Sequence, residues 1–214
     1  QDRFAFASQS KAATAQHNGR LAEEVIPVEI SSHKGISTLF SKDEFIKAST
    51  TLEKLSQLKP AFKKENGTVT AGNSSGINDG AASLFIASEM AVNKYKVEPL
   101  ARIVSSAVIG VEPRIMGIGP VEATRIVLKK AGLRLEDMDV IELNEAFAAQ
   151  SIACLRELGL SDDDPRINPN GGAISLGHPL GMSGARITYT AARELQNLKK
   201  RFALATMCVG VGQG

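Results

Sequence analysis

Residues 168–184 constrain the fold more than any other stretch of this sequence. Five of these seventeen residues are glycine and two are proline. Glycine costs backbone entropy in a regular element and proline lacks an amide donor, so the run predicts neither a helix nor a strand. Loops of this length are functional or disordered, and this one carries apolar residues but no Lys or Glu. We therefore expect a rigid loop that carries His178 to an active site, where the ring would be paired and not face solvent.

The composition is that of an ordinary globular protein and argues against several function classes. The 214 residues are 43% hydrophobic and 22% charged, with a formal net charge of +2 and no Trp, so no nucleic-acid partner is expected. No apolar run reaches about 18 residues, so no membrane span is expected. Three scattered histidines without a Cys-x-x-Cys pair predict no metal site. Two cysteines are too few for a disulfide scaffold, which favours a reducing, cytoplasmic environment.

Helix-like and strand-like patterns alternate along the chain, which predicts a layered α/β fold. Helices are expected at residues 2–16 (capped by Asp2), within 43–58, and at 88–96, 119–131, 146–158 and 182–199. Strands are expected at residues 25–30, 68–70, 81–87, 100–111, 140–143 and 202–207. The run at 81–87 is continuously small and apolar, so we expect it to be a strand buried on both faces.

Two further polar side chains follow predicted strands and join His178 as candidates for chemistry. Asn144 follows the strand at 140–143, and Cys208 stands at the end of the last strand. Sites in α/β sheets gather beyond strand ends, and a thiol with an imidazole can form a nucleophilic or acid–base pair. Each residue also has a plain structural interpretation: a helix cap for Asn144, a small buried hydrophobe for Cys208 and an ordinary histidine for His178.

Four motifs together resemble one known family. Residues 144–148, 170–181 and 208–214 resemble the three consecutive active-site motifs of the thiolases, and residues 72–80 resemble that family's coenzyme A-binding stretch. The resemblance implies a layered α-β-α-β-α fold, of which this chain would hold the C-terminal half domain and the end of the loop domain. The implied divisions are 1–77 for the rest of the loop (lid) domain, 78–98 for a strand and a helix of the N-terminal domain's sheet, and 99–214 for the C-terminal domain.

The resemblance also implies a role for each site residue. Thiolases make or cleave a 3-ketoacyl thioester of coenzyme A, and His178 would activate the nucleophilic cysteine and help hold a thioester oxygen. Cys208 would match the second cysteine, which exchanges a proton with the α-carbon. Asn144 would position a water, and the Gly210 amide would belong to the second oxyanion hole. The residues implied to contact coenzyme A are Phe62, Ser75, Ala146 and Phe147.

The same resemblance implies that part of the enzyme is missing. The nucleophilic cysteine lies in the first half of the family's chain, and Cys154 falls in a helix where the family has no catalytic cysteine. Because the chain begins at Gln1 and ends on glycines after an apolar run, both ends are expected to be cut. We therefore expect the C-terminal part of an acetyl-CoA C-acyltransferase, inactive without its N-terminal half.

Coenzyme A and acetyl-CoA would then be substrates, with no covalently bound cofactor, and a dimer or tetramer is expected from the family. The most direct substrate expectation is acetoacetyl-CoA, with 3-oxoadipyl-CoA or a longer 3-ketoacyl-CoA as alternatives. Two other interpretations of the residues stay open. One is a self-contained Cys–His hydrolase or acyltransferase with Cys208 as nucleophile, and the other is a non-catalytic module that binds acyl-CoA or lipid.

Overall fold

The computed structural model of the chain describes residues 1–31 and 35–214. The helices are α1 (Asp2–His17), α2 (Leu52–Ser56), α3 (Glu89–Tyr95), α4 (Gly119–Ala131), α5 (Ala148–Glu157), α6 (Ala173–Leu176) and α7 (Leu180–Leu198). The strands are β1 (Val28–Ser31), β2 (Ser37–Phe40), β3 (Val140–Leu143) and β4 (Ala203–Thr206). Short 3-10 turns occur at Leu21–Glu23, Pro113–Ile118 and Leu135–Asp137.

The strands of the described residues form two small sheets of opposite character. β1 and β2 make an antiparallel hairpin whose residues are all exposed. β3 and β4 run parallel, with Val140 opposite Ala203 and Leu143 opposite Thr206. Every residue of β3 is buried, and helix α7 contacts both strands of the pair. This parallel pair under helices confirms the predicted mixed α/β class.

The hydrophobic core surrounds the parallel pair and fixes where its strands end. Its buried members lie on β3, β4, α4 and α5 and in the loops beside them: Val121, Met138, Ile141, Leu143, Cys154, Leu155, Ile167 and Leu204. A smaller cluster joins α1 and α2 to α5 and α6 through Ala5, Leu55, Ala148 and Ile174. Helix α1 packs on α6, so the first helix of the chain contacts the Gly- and Pro-rich run.

Several helix ends agree with the sequence signals. Ser88 caps α3, since its hydroxyl accepts a hydrogen bond from the Ala91 amide at 3.2 Å. Helix α4 begins with Gly119 and Pro120 and ends at Ala131, with Gly132 as its left-handed C-cap. The cap predicted at Asp2 is wrong. Asp2 lies inside the first turn of α1, where its carboxylate accepts from the Asn73 side-chain amide at 2.9 Å.

Three of the predicted strands do not form. Residues 68–70 contribute one isolated bridge, between Pro60 and Thr70, and residues 100–111 contribute one, between Gly110 and Gln213. Residues 81–87 have no strand partner among the described residues and are largely exposed, including Phe85 and Ile86. The strand expected within 78–98 is therefore absent, although its helix is present as α3. An apolar run becomes a strand only when neighbouring strands satisfy its backbone and cover its faces.

Candidate active site

The Gly- and Pro-rich run is an ordered structure that contains a one-turn helix. Helix α6 interrupts the run, which the glycine and proline content had predicted to be free of helix. Most of residues 168–179 are buried. Gly177 ends α6 with φ +89, and a side chain there would clash with Asn78, so only glycine fits. His178 follows directly, and its amide donates to the Gly76 carbonyl at 3.2 Å.

A buried carboxylate anchors this run to the rest of the chain. Glu145 accepts hydrogen bonds from the Ser8 hydroxyl at 2.7 Å, the Asn168 amide at 2.8 Å and the Ile174 backbone N–H at 3.1 Å. The Ile174 amide lies in the first turn of α6, where free N–H groups favour a negative charge. Burial raises the pKa of Glu145, and these three hydrogen bonds act in the opposite direction. One side chain thus connects α1, the start of the run and α6.

The side chain of Asn168 pairs with the backbone at the end of β3, although Asn168 itself lies outside the strands. Its side-chain oxygen accepts from the Leu143 amide and its side-chain amide donates to the Leu143 carbonyl, both at 2.8 Å. The backbone of Asn168 takes the left-handed conformation, with φ +41, which Asn tolerates better than most residues. These bonds fix the beginning of the run beside the end of β3, next to Asn144.

The ring of His178 is half-buried and held at both nitrogens. Nδ1 lies 2.6 Å from the Ser183 hydroxyl, and Nε2 lies 3.3 Å from Nδ2 of Asn144. Burial lowers the pKa of His178, and the positive charge of Arg186 lowers it further. A neutral imidazole with a lowered pKa can accept a proton near neutral pH. The ring is therefore paired on both sides and does not face solvent freely.

Asn144 is completely buried and does not cap a helix. Helix α5 begins at Ala148 with Phe147 at its N-cap position, so the cap interpretation of Asn144 is wrong. Its Nδ2 faces His178, while its Oδ1 is buried without a hydrogen-bond partner among the described residues. A buried acceptor without a partner is costly and is characteristic of functional sites. Asn144 therefore offers one open acceptor beside the imidazole.

Cys208 lies at the same edge of the sheet as Asn144. The Asn144 backbone amide donates to the Thr206 carbonyl at 3.0 Å, so the segments that follow β3 and β4 begin side by side. Cys208 lies two residues after Thr206. Its side chain is 4% exposed, and burial raises the pKa of the thiol. The turn that follows is closed by paired backbone hydrogen bonds between Val209 and Gln213. At its centre Val211 has φ +70, a strained value for a β-branched residue.

The other residues expected at the site fall into two groups. Gly210 is exposed in the turn after Cys208, with open space where a side chain would stand. The four residues implied to contact coenzyme A lie together. The Ser75 amide donates to the Ala146 carbonyl at 3.0 Å, and the rings of Phe62 and Phe147 meet edge to face with centroids 5.9 Å apart. The bond from His178 to Gly76 connects this group to the histidine.

Cys154 differs from the residues of the site in its surroundings and its chemistry. Its side chain is fully buried in the hydrophobic core, where its thiol lies 3.2 Å from the Gly117 carbonyl. Burial raises its pKa to about 11, so the thiol stays protonated near neutral pH.

Among the described residues, no group of His, Cys, Asp and Glu side chains could hold a metal ion. Within the same residues, none of the helices is both long and apolar enough to cross a membrane.

Several residues that build the site were not singled out by the sequence. Ser8, Asn168, Ser183 and Arg186 act through partners that are distant in the chain or on the next helical turn. Glu142 is also fully buried, and burial outweighs the attraction of Arg186 to raise its pKa to about 8. The one local signal was the position of Glu142 and Glu145 within or just after a strongly apolar strand, where charged residues are rare unless they have partners.

The fold and the site together define the class of protein. An asparagine and a cysteine that follow two parallel strands, with a histidine on a third loop, form a site suited to proton transfer and acyl chemistry. A sequence profile described as the C-terminal domain of thiolase matches residues 97–214, and one described as the N-terminal domain of thiolase matches residues 1–90. The chain belongs to the thiolase family.

Individual relatives agree with this assignment. A 3-oxoadipyl-CoA/3-oxo-5,6-dehydrosuberyl-CoA thiolase of Escherichia coli K12 is 59% identical over all 214 residues, which cover 53% of that protein. The crystal structure of a Bacillus anthracis acetyl-CoA acetyltransferase matches the whole chain, and 53% of its own, with a TM-score of 0.95 and 45% identity. Human mitochondrial 3-ketoacyl-CoA thiolase in complex with CoA matches 99% of the chain, and 52% of its own, with a TM-score of 0.92 and 48% identity. The chain thus spans about half the length of these relatives.

Proposed function

We propose that this chain supplies the proton-transfer half of a thiolase active site, which makes or cleaves 3-ketoacyl-CoA together with a half that carries the nucleophilic cysteine. We call the two halves together the complete enzyme. The observation that carries the proposal is the contact at 3.3 Å between the buried Asn144 and the half-buried His178, with an open acceptor on Asn144. This contact lies at the edge of the sheet where β3 and β4 end, and Cys208 follows β4 at the same edge.

Each residue has a role that its surroundings support. The neutral His178 would take the proton of the nucleophilic cysteine and then help hold a thioester oxygen. Asn144 would position a water through its unpaired Oδ1. Cys208, whose raised pKa favours the protonated thiol, would protonate the departing carbanion in thiolysis and become a thiolate. In the reverse direction, condensation, that thiolate would take the α-proton and return to the thiol. The Gly210 amide would belong to the second oxyanion hole, together with the N–H of the nucleophilic cysteine, because donors fixed in advance act most strongly on developing charge.

Coenzyme A would bind along the group formed by Phe62, Ser75, Ala146 and Phe147. The two rings and the paired backbone of this group would suit the thin, mostly apolar pantetheine arm, which ends beside the histidine through the bond from His178 to Gly76. In the domain division that we propose, 1–77 belongs to the loop domain, 78–98 to the N-terminal domain and 99–214 to the C-terminal domain. The exposed segment at 81–87 would then be covered by the partner half, and the complete enzyme would assemble as a dimer or tetramer.

For the substrate we propose 3-oxoadipyl-CoA. The support is the 59% identity, over the whole chain, to an Escherichia coli enzyme named for that thioester. Acetoacetyl-CoA is the second candidate, supported by the match of the entire chain to an acetyl-CoA acetyltransferase. Values of kcat/KM for both thioesters, measured with the complete enzyme, decide between them. A higher value for acetoacetyl-CoA would contradict the first choice.

The activity itself is tested with a matched pair of cysteine variants. In the complete enzyme, Cys208→Ala should lower kcat for thiolysis about 10³-fold, within the range of general acid–base catalysis. Cys154→Ala removes the other thiol, in the core, and should leave kcat within about 2-fold, because this group touches no reacting atom. The 214-residue chain alone should show no thiolase turnover. Cleavage of acetoacetyl-CoA by the chain alone, or full activity of Cys208→Ala, would contradict the proposal.

A further inference from the structure

Ser183 contacts the catalytic histidine but has no role in the chemistry described above. It lies in the first turns of α7, five residues after His178, and is 1% exposed. Its hydroxyl oxygen makes two close polar contacts, to Nδ1 of His178 at 2.6 Å and to the Pro179 carbonyl oxygen at 3.0 Å. A buried hydroxyl between an imidazole and a carbonyl has only one hydrogen to share between them.

The two contacts of the hydroxyl favour one arrangement of hydrogens. The Pro179 oxygen can only accept, so the hydroxyl is the donor in that contact. In that case Nδ1 of His178 carries a hydrogen and donates it to the hydroxyl oxygen. In the reverse arrangement Ser183 would donate to Nδ1 and give up its bond to the Pro179 oxygen, which would keep the Met182 and Ser183 backbone amides as donors at 2.9 and 3.0 Å. The choice between the two arrangements is therefore made at the other nitrogen of the ring.

The opposite side of the ring selects the same tautomer. Nε2 faces Nδ2 of Asn144, which is a donor, at 3.3 Å. A neutral imidazole has one protonated and one unprotonated nitrogen, so Nε2 holds the lone pair when Nδ1 holds the hydrogen.

We propose that Ser183 is a positioning residue that fixes His178 as the tautomer protonated on Nδ1, so that the lone pair on Nε2 faces Asn144. The tautomer follows from the hydrogen bonds alone. Its consequence for catalysis rests on the proposed function, because a proton can be taken from the nucleophilic cysteine only by the nitrogen that has a free lone pair. In that setting Ser183 keeps the basic nitrogen on the side of the open acceptor.

The choice of a hydroxyl has a further consequence. A carboxylate at this position would also hold the hydrogen on Nδ1, but its charge would favour the imidazolium form. Ser183 is neutral, and Arg186, one turn further along α7, acts against the imidazolium. Glu142 is the carboxylate bound to Arg186, at 3.4 Å, and no charged group is hydrogen-bonded to the ring among the described residues. The histidine is thus oriented without being charged.

Nitrogen-15 NMR of the histidine-labelled 214-residue chain tests the tautomer without any turnover. The chain has three histidines, so a His178→Gln variant identifies the signals of His178. At about pH 8, above the ordinary histidine pKa, Nδ1 should show a protonated and Nε2 an unprotonated nitrogen shift. In Ser183→Ala a population protonated on Nε2 should appear. Protonation of Nε2 in the unaltered chain, or an unchanged spectrum in Ser183→Ala, would overturn the proposal.

Kinetics of the complete enzyme provide the second readout, with a control on the same helix. Thr188 makes the equivalent bond one turn further on, with its hydroxyl donating to the Gly184 carbonyl at 2.8 Å, and it has no hydrogen bond to the histidine. Ser183→Ala should lower kcat about 10- to 100-fold, below the full 10²–10⁴ of a lost general base, and leave KM unchanged. Thr188→Val should change neither.

The two readouts separate the two proposals. The expected NMR tautomer together with a complete enzyme that has no thiolase activity would refute the proposed function and leave the tautomer assignment in place. An active enzyme in which Ser183→Ala retains full kcat would refute the positioning role. Equal losses of kcat in Ser183→Ala and Thr188→Val would also refute it, because they would show a general effect of losing a helix hydroxyl.

Discussion

The run at residues 168–179 and the segment at residues 77–111 had opposite sequence signals and reached opposite outcomes. The first is rich in Gly and Pro, yet it is mostly buried and contains an ordered helical turn. The second contains long apolar runs, yet outside helix α3 it has almost no regular structure, and its large side chains are exposed. The two regions differ in how many partners their backbone and side chains have within this chain. The first run finds buried polar partners within this chain, whereas the second finds few neighbours for its backbone or its side chains.

The largest expected effect comes from removing the anchor of the first region. Glu145→Ala should lower the free energy of unfolding by about 4 kcal/mol, since three hydrogen bonds worth roughly 1 kcal/mol each are lost and a cavity is left. Chemical denaturation of the chain measures it. Glu136→Ala, at an exposed position, is the control and should stay within about 0.5 kcal/mol. Equal effects of the two variants would show that the run does not depend on its anchor.

A pair of glycines tests whether the run is held rigidly next to the histidine. Gly177→Ala should destabilise the chain by about 2 kcal/mol, because φ is +89 and the new side chain would clash with Asn78. Gly181 lies in the first turn of α7, with open space around it, so Gly181→Ala should stabilise by about 0.5–1 kcal/mol. Thermal unfolding compares the two variants. Tolerance of Gly177→Ala would contradict a rigid loop.

The smallest effect on stability is expected in the second region. Phe85 is fully exposed, so Phe85→Ser should change the free energy of unfolding by less than about 0.5 kcal/mol. The same variant should reduce self-association of the chain in sedimentation, because an exposed apolar run is an aggregation site. Ile174→Ala, at a buried position in α6, should by contrast cost about 3 kcal/mol. A large loss of stability in Phe85→Ser would show that 81–87 has partners in solution.

The sequence predicted the parts of the fold that depend on local signals. The caps of α3 and α4, the strand at β3 and the order of the last helices follow from residues adjacent in the chain. The strands expected at 81–87 and 100–111 did not form, because strand formation depends on neighbours that no local pattern reveals.

The site was predicted to a similar extent. His178 and Asn144 were singled out by their positions, and the structure brings them together. The support from Glu145 and Ser8 was not predicted, since these residues are separated by 137 positions and meet only through the tertiary fold. Ser183 was close enough in sequence to be considered, but a serine in the first turns of a helix is too common to indicate a contact with a ring.

Hydrogen exchange measured along the chain by mass spectrometry tests the contrast between the two regions most directly. The amides of Ile174, Gly177 and His178 donate hydrogen bonds to Glu145, Ala173 and Gly76, so they should exchange at least about 100-fold more slowly than unprotected amides. None of the amides at residues 81–87 and 101–108 donates a backbone hydrogen bond among the described residues, so these should exchange at once. Fast exchange at 174–178 together with protection at 81–87 would contradict the account.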